Sequence, residues 1–519
     1  MAKKLLVQNS FMSTILLLLT FFLATSHALP LSTNTRWFVD QHGQRVKLAC
    51  VNWSSHLQLA VAEGLSKRPV DVISKNITDM GFNCVRLTWP LYLATNKTLG
   101  SLSVRESFND AGLVDAFNEF QDNNPSLVDV SLIDAFKAVV KSLAKKKVMV
   151  ILDNHLSKPG WCCNYDDENG FFGDKYFKDP QLWIRGLTKM ATLFKGHRNV
   201  VAMTRAVHKA NPNVVVIISG LNFDTNLSFL RKKPVSLHFT NKLAFEVHRY
   251  AFSGKKTEWE DGNPNEVCGK LTKTLKNNAG FLVERGFPIF VGEWGLNLND
   301  TKKGEKLFSD CFLAWLVEHD LDWALWTMAG SYYIKEGVVG AIETFGLFNW
   351  NWTQIRNEPF LHKIAAIQSP HIGPKAIPES QHKIIFHPST GLCVLNKGLL
   401  GLQLGDCSYS TYWTYTHHKT IGLKGSYNYV CLKAQELDRP ASLGLYNCFS
   451  GEGTRWAPIS ASKLHLATKL SNNQTVCLDV DAENKVITST CKCLSKDNKC
   501  DPGSQWFKIA DASAIYTSS

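Results

Sequence analysis

Past its first 24 residues the chain contains no stretch apolar enough to cross a bilayer, a task that takes about 20 such residues. Nothing in the remainder is therefore read as membrane-embedded. There is no His-Glu-x-x-His helix and no Gly-x-Ser-x-Gly elbow, so the zinc-protease and serine-hydrolase signatures are missing. Charge of one sign is not gathered anywhere. The formal net charge is +12, but Lys and Arg are spread along the chain apart from Lys145-Lys146-Lys147. That cluster closes a helical pattern, where cations suit the helix dipole. Nucleic acid is therefore not expected as a partner, and the basic surface suits retention near anionic extracellular polysaccharide. Hydrophobic residues at 45% and charged residues at 20% exclude a disordered chain.

The N-terminus reads as a signal and not as fold. Lys3 and Lys4 precede an apolar run from Met12 to Ala24, and Ser26-His27-Ala28 offers the small residues a signal peptidase needs. Residues 1–28 are expected to be a secretory signal peptide cleaved after Ala28, leaving no membrane segment. Secretion makes the 14 cysteines candidates for disulfides. Seven glycosylation sequons, at Asn52, Asn76, Asn96, Asn226, Asn299, Asn351 and Asn473, agree with that route. Asn52 lies inside a strand pattern and is not expected to carry a glycan.

Between residues 46 and 330 short apolar strands alternate with amphipathic helices. The strand candidates are 46–53, 84–90, 147–155, 199–203, 213–220, 243–250, 288–295 and 322–330. Helical periodicity marks 131–147, 180–196 and 306–320. Alternation of this kind implies a parallel sheet, and eight strands with polar or aromatic C-terminal ends predict a TIM barrel. An open doubly wound sheet would place a Gly-rich phosphate loop after its first strand, and none is present. One connection is too short. Only Thr204–Pro212 lies between the fourth and fifth strands, whereas a parallel crossover with its helix takes at least about 10–12 residues. The sequence looks as though a segment has been removed, at the cost of exposing apolar barrel surface.

Residues 369–381 hold three prolines and no periodicity and are read as a linker. Beyond it, in 382–519, helical periodicity disappears and eight of the 14 cysteines fall between Cys393 and Cys500. Gly391-Leu392-Cys393-Val394-Leu395 is echoed at Tyr429–Lys433 and Thr475–Asp479. A second cysteine follows each time (Cys407, Cys448, and Cys491 or Cys493), and then a tryptophan (Trp413, Trp456, Trp506). Three such repeats predict pseudo-threefold β structure.

In a barrel the strand ends meet at one mouth. They offer Arg86, Asp153 with His155, Glu246 with His248 and Tyr250, Glu293, and Trp326. A retaining glycosidase needs such a set: a carboxylate to attack the anomeric carbon, groups to hold it ionised and aimed, and an aromatic to stack on the sugar. With these motifs in place, residues from about Trp37 to Gln368 (29–368 as a unit) resemble glycoside hydrolase family 5, in its plant cellulase-like branch. The C-terminal segment resembles the ricin B-type lectin β-trefoil. The first resemblance implies retaining hydrolysis of a polysaccharide or oligosaccharide of the β-glucan or mannan type. Glu293 would be the nucleophile and Arg86, His155, His248, Tyr250 and Trp326 its supports. It implies no cofactor and no metal. A monomeric extracellular protein of the cell wall is expected.

The chain departs from the family where strand four ends. The family places its acid/base Glu there, preceded by Asn, but Met203 runs into Thr204-Arg205-Ala206. The Asn-Glu pairs at 118–119, 265–266 and 357–358 end no apolar strand. Weak or absent activity on natural glycosides is the expectation, with Glu246, Asp153 and Asp224 the carboxyls able to stand in as acid. The aromatic, acidic loop Trp161–Glu168 suits outer sugar subsites, Ca²⁺ binding or, for its acids, a plain solvated surface, and no metal is assigned to it. The lectin family binds sugar through an Asp two residues after a repeat's first cysteine. Those positions hold Leu395, Lys433 and Asp479, so Asp479 marks at most one sugar site. A trefoil that only packs on the barrel is the other reading. For the whole chain the alternative to an enzyme is a non-catalytic carbohydrate-binding protein.

Overall fold

The structure, a computed structural model, describes residues 29–162, 175–176, 179–204, 207–255, 257–374, 381–425, 430–445, 448, 451–495 and 500–513, with the Thr204 side chain left out. The expected signal peptide (1–28), most of the acidic loop (163–168) and Arg205-Ala206 lie outside the described residues.

Eight parallel strands close a barrel: β1 Ala49–Trp53, β2 Cys84–Pro90, β3 Met149–Leu156, β4 Val200–Thr204, β5 Val215–Ile218, β6 Leu243–Arg249, β7 Ile289–Trp294 and β8 Asp322–Leu325. They pair in chain order, and β8 closes on β1. β1, β2, β5, β7 and β8 are buried throughout, as expected for strands covered on both faces. The expected strand 322–330 is shorter than its apolar run, because beyond Leu325 the chain turns across the mouth and Met328 N–H donates to Asn52 O (3.2 Å).

The outer helices begin and end where the side chains dictate. In α1 (Val70–Asp79) Ile73 and Ile77 are buried. α2 (Leu132–Lys145) starts at Ser131, whose hydroxyl accepts from Asp134 N–H. α3 (Pro180–Leu193) is capped by Asp179 with Pro180 in its first turn. α4 (Pro264–Leu275) is capped by Asn263, and α5 (Lys303–His319) ends on left-handed Asp320 (φ 45°). Disulfides Cys50–Cys84 and Cys268–Cys311 tie β1 to β2 and α4 to α5, and Cys162 is also disulfide-bonded. Among the described residues no helix is long and apolar enough to cross a membrane.

The short connection after β4 holds. Residues 207–211 form a single turn, with Ala210 and Asn211 N–H groups donating to Val207 O (3.0 and 2.9 Å). β4 and β5 still pair in parallel, Ala202 opposite Val215. Part of the apolar surface expected to be exposed here is covered. Val207 is fully buried, and the His208 ring stacks on Phe239 at 3.8 Å, so residues beyond β5 cover part of the surface a crossover helix would cover.

The C-terminal region is built mostly from antiparallel strands: β9 Gln381–His387, β10 Leu392–Asn396, β11 Leu402–Gly405, β12 Trp413–Tyr415, β13 Ile421–Leu423, β14 Val430–Lys433, β15 Ser442–Leu445, β16 Ala457–Ile459, β17 His465–Lys469, β18 Thr475–Val480, β19 Val486–Ser489 and β20 Lys508–Ser513. Disulfides Cys393–Cys407, Cys431–Cys448 and Cys477–Cys491 fall one within each sequence repeat, and Cys493 pairs with Cys500. Trp413 and Trp456 each donate an indole N–H to the carbonyl after the first cysteine, Val394 O and Leu432 O. The third tryptophan differs: Trp506 donates to Asn265 Oδ1 of α4 (3.0 Å). Ser462 Oγ donates to the same oxygen, Lys508 pairs with Glu318 of α5, and Ser389 and Lys363 both meet Asp310. The β unit therefore packs directly on α4 and α5.

Candidate active site

Parallel strands carry their C-terminal residues to one rim, and residues two apart on a strand share a face. Asp153 and His155 on β3, and Glu246 and His248 on β6, are such pairs. Arg86 of β2 sits at the centre, almost fully buried. Its Nη1 donates to Glu293 Oε1 (2.8 Å) and to Asn52 Oδ1 (2.9 Å). Its Nη2 lies 3.1 Å from Asp153 Oδ2 and its Nε 3.0 Å from Glu246 Oε1. Burial lowers the pKa of this guanidinium, but Asp153, Glu246 and Glu293 outweigh it and hold the pKa above the usual value.

Glu293 ends β7, with its other oxygen accepting from Tyr250 O–H (3.1 Å). His248 Nδ1 stands 3.6 Å from Oε2 and His155 Nδ1 3.9 Å from Oε1. Burial pushes the Glu293 carboxyl up, but His248, Arg86 and His155 outweigh burial and leave it below the ordinary range. Asp153 is likewise drawn down to about 2, because Arg86 and His155 overcome its burial. His248 is buried yet pushed up to about 9 by Glu293, Asp224 and Glu246. The rim thus holds an ionised carboxylate with two donors fixing its oxygens, which is what a nucleophile in a dry pocket requires.

Trp326 follows β8, and its ring stacks on His155 (5.8 Å, 12°). Trp161 meets it edge-on at 6.2 Å, under the Lys335 ammonium. All six barrel residues expected from the sequence, Arg86, His155, His248, Tyr250, Glu293 and Trp326, stand at this one mouth. Asp479 does not. It lies in the C-terminal unit, 3% exposed, accepting from Gln505 Nε2 (2.9 Å) and paired with Lys492 (3.1 Å). The Asn-Glu pairs are also remote. Asn118-Glu119 sits within helix Val114–Asn123 and Asn265-Glu266 in the first turn of α4, and Asn357 caps the helix Glu358–Ile364.

Sequence reasoning missed two members. Asn52, read only as an unusable sequon, holds the site together: its Nδ2 donates to Gly292 O and Leu325 O while Oδ1 accepts from Arg86. A polar residue late in an otherwise apolar strand was the available signal. His56 packs 4.2 Å from the His155 ring, with Nδ1 2.7 Å from Thr88 Oγ1. Burial drives its pKa well down, so it is neutral there. Among the described residues no group of three or more His, Cys, Asp and Glu is placed to hold a metal ion.

Comparison with known proteins agrees with this geometry. Residues 39–331 match the cellulase (glycosyl hydrolase family 5) model. A "Glycosyl hydrolase 5 family protein" of Chamaecyparis obtusa is 40% identical, covering 95% of each chain. That alignment runs over 534 residues, longer than this chain, so the relative carries residues this chain lacks. The fold is similar to a hyperthermophilic endocellulase of Pyrococcus horikoshii (TM-score 0.54, 16% identity, 66% of this chain and 100% of that one). It is also similar to the catalytic domain of the major endoglucanase of Xanthomonas campestris (TM-score 0.51, 17% identity, 64% and 97%). The barrel, the family match and a relative alike over nearly its whole length place this chain in glycosyl hydrolase family 5.

Proposed function

We propose that this chain is a secreted retaining glycoside hydrolase for β-linked glucan- or mannan-type polysaccharide or oligosaccharide, with Glu293 as nucleophile and slow turnover of natural substrates. The observation that carries this reading is Glu293 itself, one oxygen on Arg86 (2.8 Å) and the other on Tyr250 (3.1 Å) at the floor of the mouth. That arrangement keeps the carboxylate ionised and aims it. Trp326 and Trp161 are the sugar-facing aromatics. The Pyrococcus horikoshii endocellulase is described in complex with cellotetraose, which favours a β-glucan over other sugars. The C-terminal unit, a ricin B-like trefoil by its repeats, serves on this reading as a packed companion, since Asp479 is occupied by Gln505 and Lys492.

Slow turnover follows from the end of β4. A retaining mechanism uses two carboxyl groups about 5–5.5 Å apart, and no Asn-Glu follows Met203. General acid/base help is worth about 10²–10⁴-fold. The same gap favours a second reading, a barrel that binds sugar without cleaving it. A 2-deoxy-2-fluoro-β-cellobioside with a dinitrophenolate leaving group separates the two. Stoichiometric labelling of the Glu293 peptide, seen by mass spectrometry and abolished in Glu293→Gln, is the expected result. Binding with no label, or a label elsewhere, overturns the proposal.

A further inference from the structure

Four carboxyl groups gather at the barrel mouth, and three of them, Asp153, Glu246 and Glu293, pair with Arg86 at 3.1, 3.0 and 2.8 Å. Asp224 has no guanidinium partner among the described residues. Its Oδ2 lies 3.7 Å from His248 Nε2, while the opposite nitrogen of the same ring lies 3.6 Å from Glu293 Oε2. Asp224 and the nucleophile therefore flank one imidazole. Asp224 is also the most open of the four, its side chain 20% exposed against 6% for Asp153, 3% for Glu246 and 11% for Glu293.

The backbone that presents Asp224 is unusual. Asn222, Phe223 and Asp224 have φ of 52°, 54° and 58°. L-residues enter the left-handed region as single positions and not as runs. A run of three is an outlier of the kind that collects at functional sites. It is held from several sides. Leu221 and Asn226 exchange two backbone hydrogen bonds (2.8 and 3.1 Å), Thr225 Oγ1 donates to Asn222 O (2.8 Å), and His248 N–H donates to Asp224 O (2.9 Å). The last bond fixes the Asp224 backbone to the strand that carries His248.

We propose that Asp224, from the loop after β5, is the proton donor and acceptor of this site, a partial replacement for the carboxyl missing after β4 that leaves turnover slow and not absent. The inference rests on the reading of Glu293 as nucleophile. In the first step a Glu293 oxygen bonds to the anomeric carbon as the glycosidic C–O bond breaks. The departing oxygen keeps the electron pair and takes the Asp224 proton. In the second step Asp224 carboxylate accepts a proton from water, whose oxygen bonds to the anomeric carbon and releases Glu293. The charge environment suits both steps. Burial, helped by Glu246 and Glu293, outweighs the opposing His248 and Arg86 and raises the Asp224 carboxyl to about 7. It is therefore protonated in mild acid and can also give the proton up.

The test uses the full chain with phenyl and 2,4-dinitrophenyl β-cellobiosides, wild type against Asp224→Asn and Asp224→Ala. Asn tolerates left-handed backbone, so D224N is expected to fold, and its thermal unfolding checks this. Wild type is expected to cleave the phenyl glycoside with a basic limb near pH 7. In D224N that limb disappears and kcat/KM for the phenyl glycoside falls by about 10²-fold or more, while the dinitrophenyl glycoside, which needs no proton, is far less affected in its first step. Azide restores turnover of the dinitrophenyl glycoside by D224A and gives the β-glycosyl azide. Unchanged phenyl rates and pH profile in D224N, or a wild type that labels at Glu293 yet leaves the phenyl glycoside intact, overturn the role of Asp224 and leave the nucleophile standing. Absence of any Glu293 label in wild type overturns both.

Discussion

Gly292 leaves the space that the Glu246 carboxyl fills: a Cβ at 292 would stand 1.6 Å from Glu246 Oε1. That oxygen meets both Arg86 Nε (3.0 Å) and His248 Nε2 (3.1 Å). The buried Glu246 side chain thus depends on a missing methyl group on the neighbouring strand. Gly292→Ala is expected to push Glu246 off Arg86 and to lower stability by about 1–3 kcal/mol, the usual scale of overpacking. Labelling of Glu293 by the fluorosugar should slow at least tenfold. Calorimetry and labelling kinetics on one preparation check both, and a variant that melts and labels like wild type contradicts the role given to this gap.

Tyr250 donates to Glu293 Oε2 and therefore favours the ionised form of that carboxyl. Tyr250→Phe removes that donor but keeps the ring stacked on Phe252 (4.8 Å). A hydrogen bond to a charged group is worth about 1.5–3 kcal/mol. The Glu293 carboxyl should rise, so the acidic limb of kcat/KM on the dinitrophenyl glycoside moves to higher pH. A limb that stays in place would show that Arg86 and the histidines alone set the charge.

Which features were readable in the sequence follows from what the residues report. Barrel strands buried on both faces leave continuous apolar runs, so all eight were visible, β2 to the residue. His155, His248, Tyr250, Glu293 and Trp326 were visible because chemistry-bearing types stand at or just beyond the C-terminal ends of those runs, and Arg86 because a charged residue interrupts one of them. Asn52 left one signal, a polar residue late in an apolar strand, but its partners Gly292 O, Leu325 O and Arg86 lie on other strands and leave no trace in the sequence. That Asp153 and Glu246 pair with Arg86 while Asp224 does not was hidden too, since it depends on which acids Arg86 reaches across the barrel. Closure of the short β4–β5 connection depended on burial of Val207 and on Phe239, more than 30 residues on in the chain, packing against it.

Asn265 joins the two halves of the molecule. Its Oδ1 accepts from Trp506 Nε1 (3.0 Å) and Ser462 Oγ (2.7 Å), and its Nδ2 donates to Cys493 O (3.0 Å). Asn265→Ala strands the buried Trp506 indole N–H, a loss of about 1–3 kcal/mol. The C-terminal unit should then loosen before the barrel does. Limited proteolysis near the 369–381 linker should quicken while the rate of Glu293 labelling stays that of wild type. Loss of labelling would mean that the β unit supports the mouth as well as the outer helices.

Acid should destabilise the folded chain through buried neutral histidines. His387 of β9, whose Nε2 lies 3.1 Å from Gly503 O, is held down to about 4 by burial, as are His319 at the end of α5 and His465 of β17. An unfolded histidine titrates near 6.5. As pH falls from about 6.5 to 4, the unfolded chain binds protons that the folded one refuses, so stability present above 6.5 is lost across that window. Asp153, drawn down to about 2, keeps its contribution until the pH is below the ordinary carboxylate range. Asp224 works in the opposite direction: raised to about 7, it favours the folded state increasingly as the pH drops toward 4. The expected loss on acidification is carried by these three histidines, and Asp224 offsets part of it. Scanning calorimetry at pH 7.5 and 4.5 should show the melting temperature fall in wild type and fall less in His387→Gln, which cannot take up the proton. An equal fall in both proteins would move the acid sensitivity away from the β9 contact with Gly503.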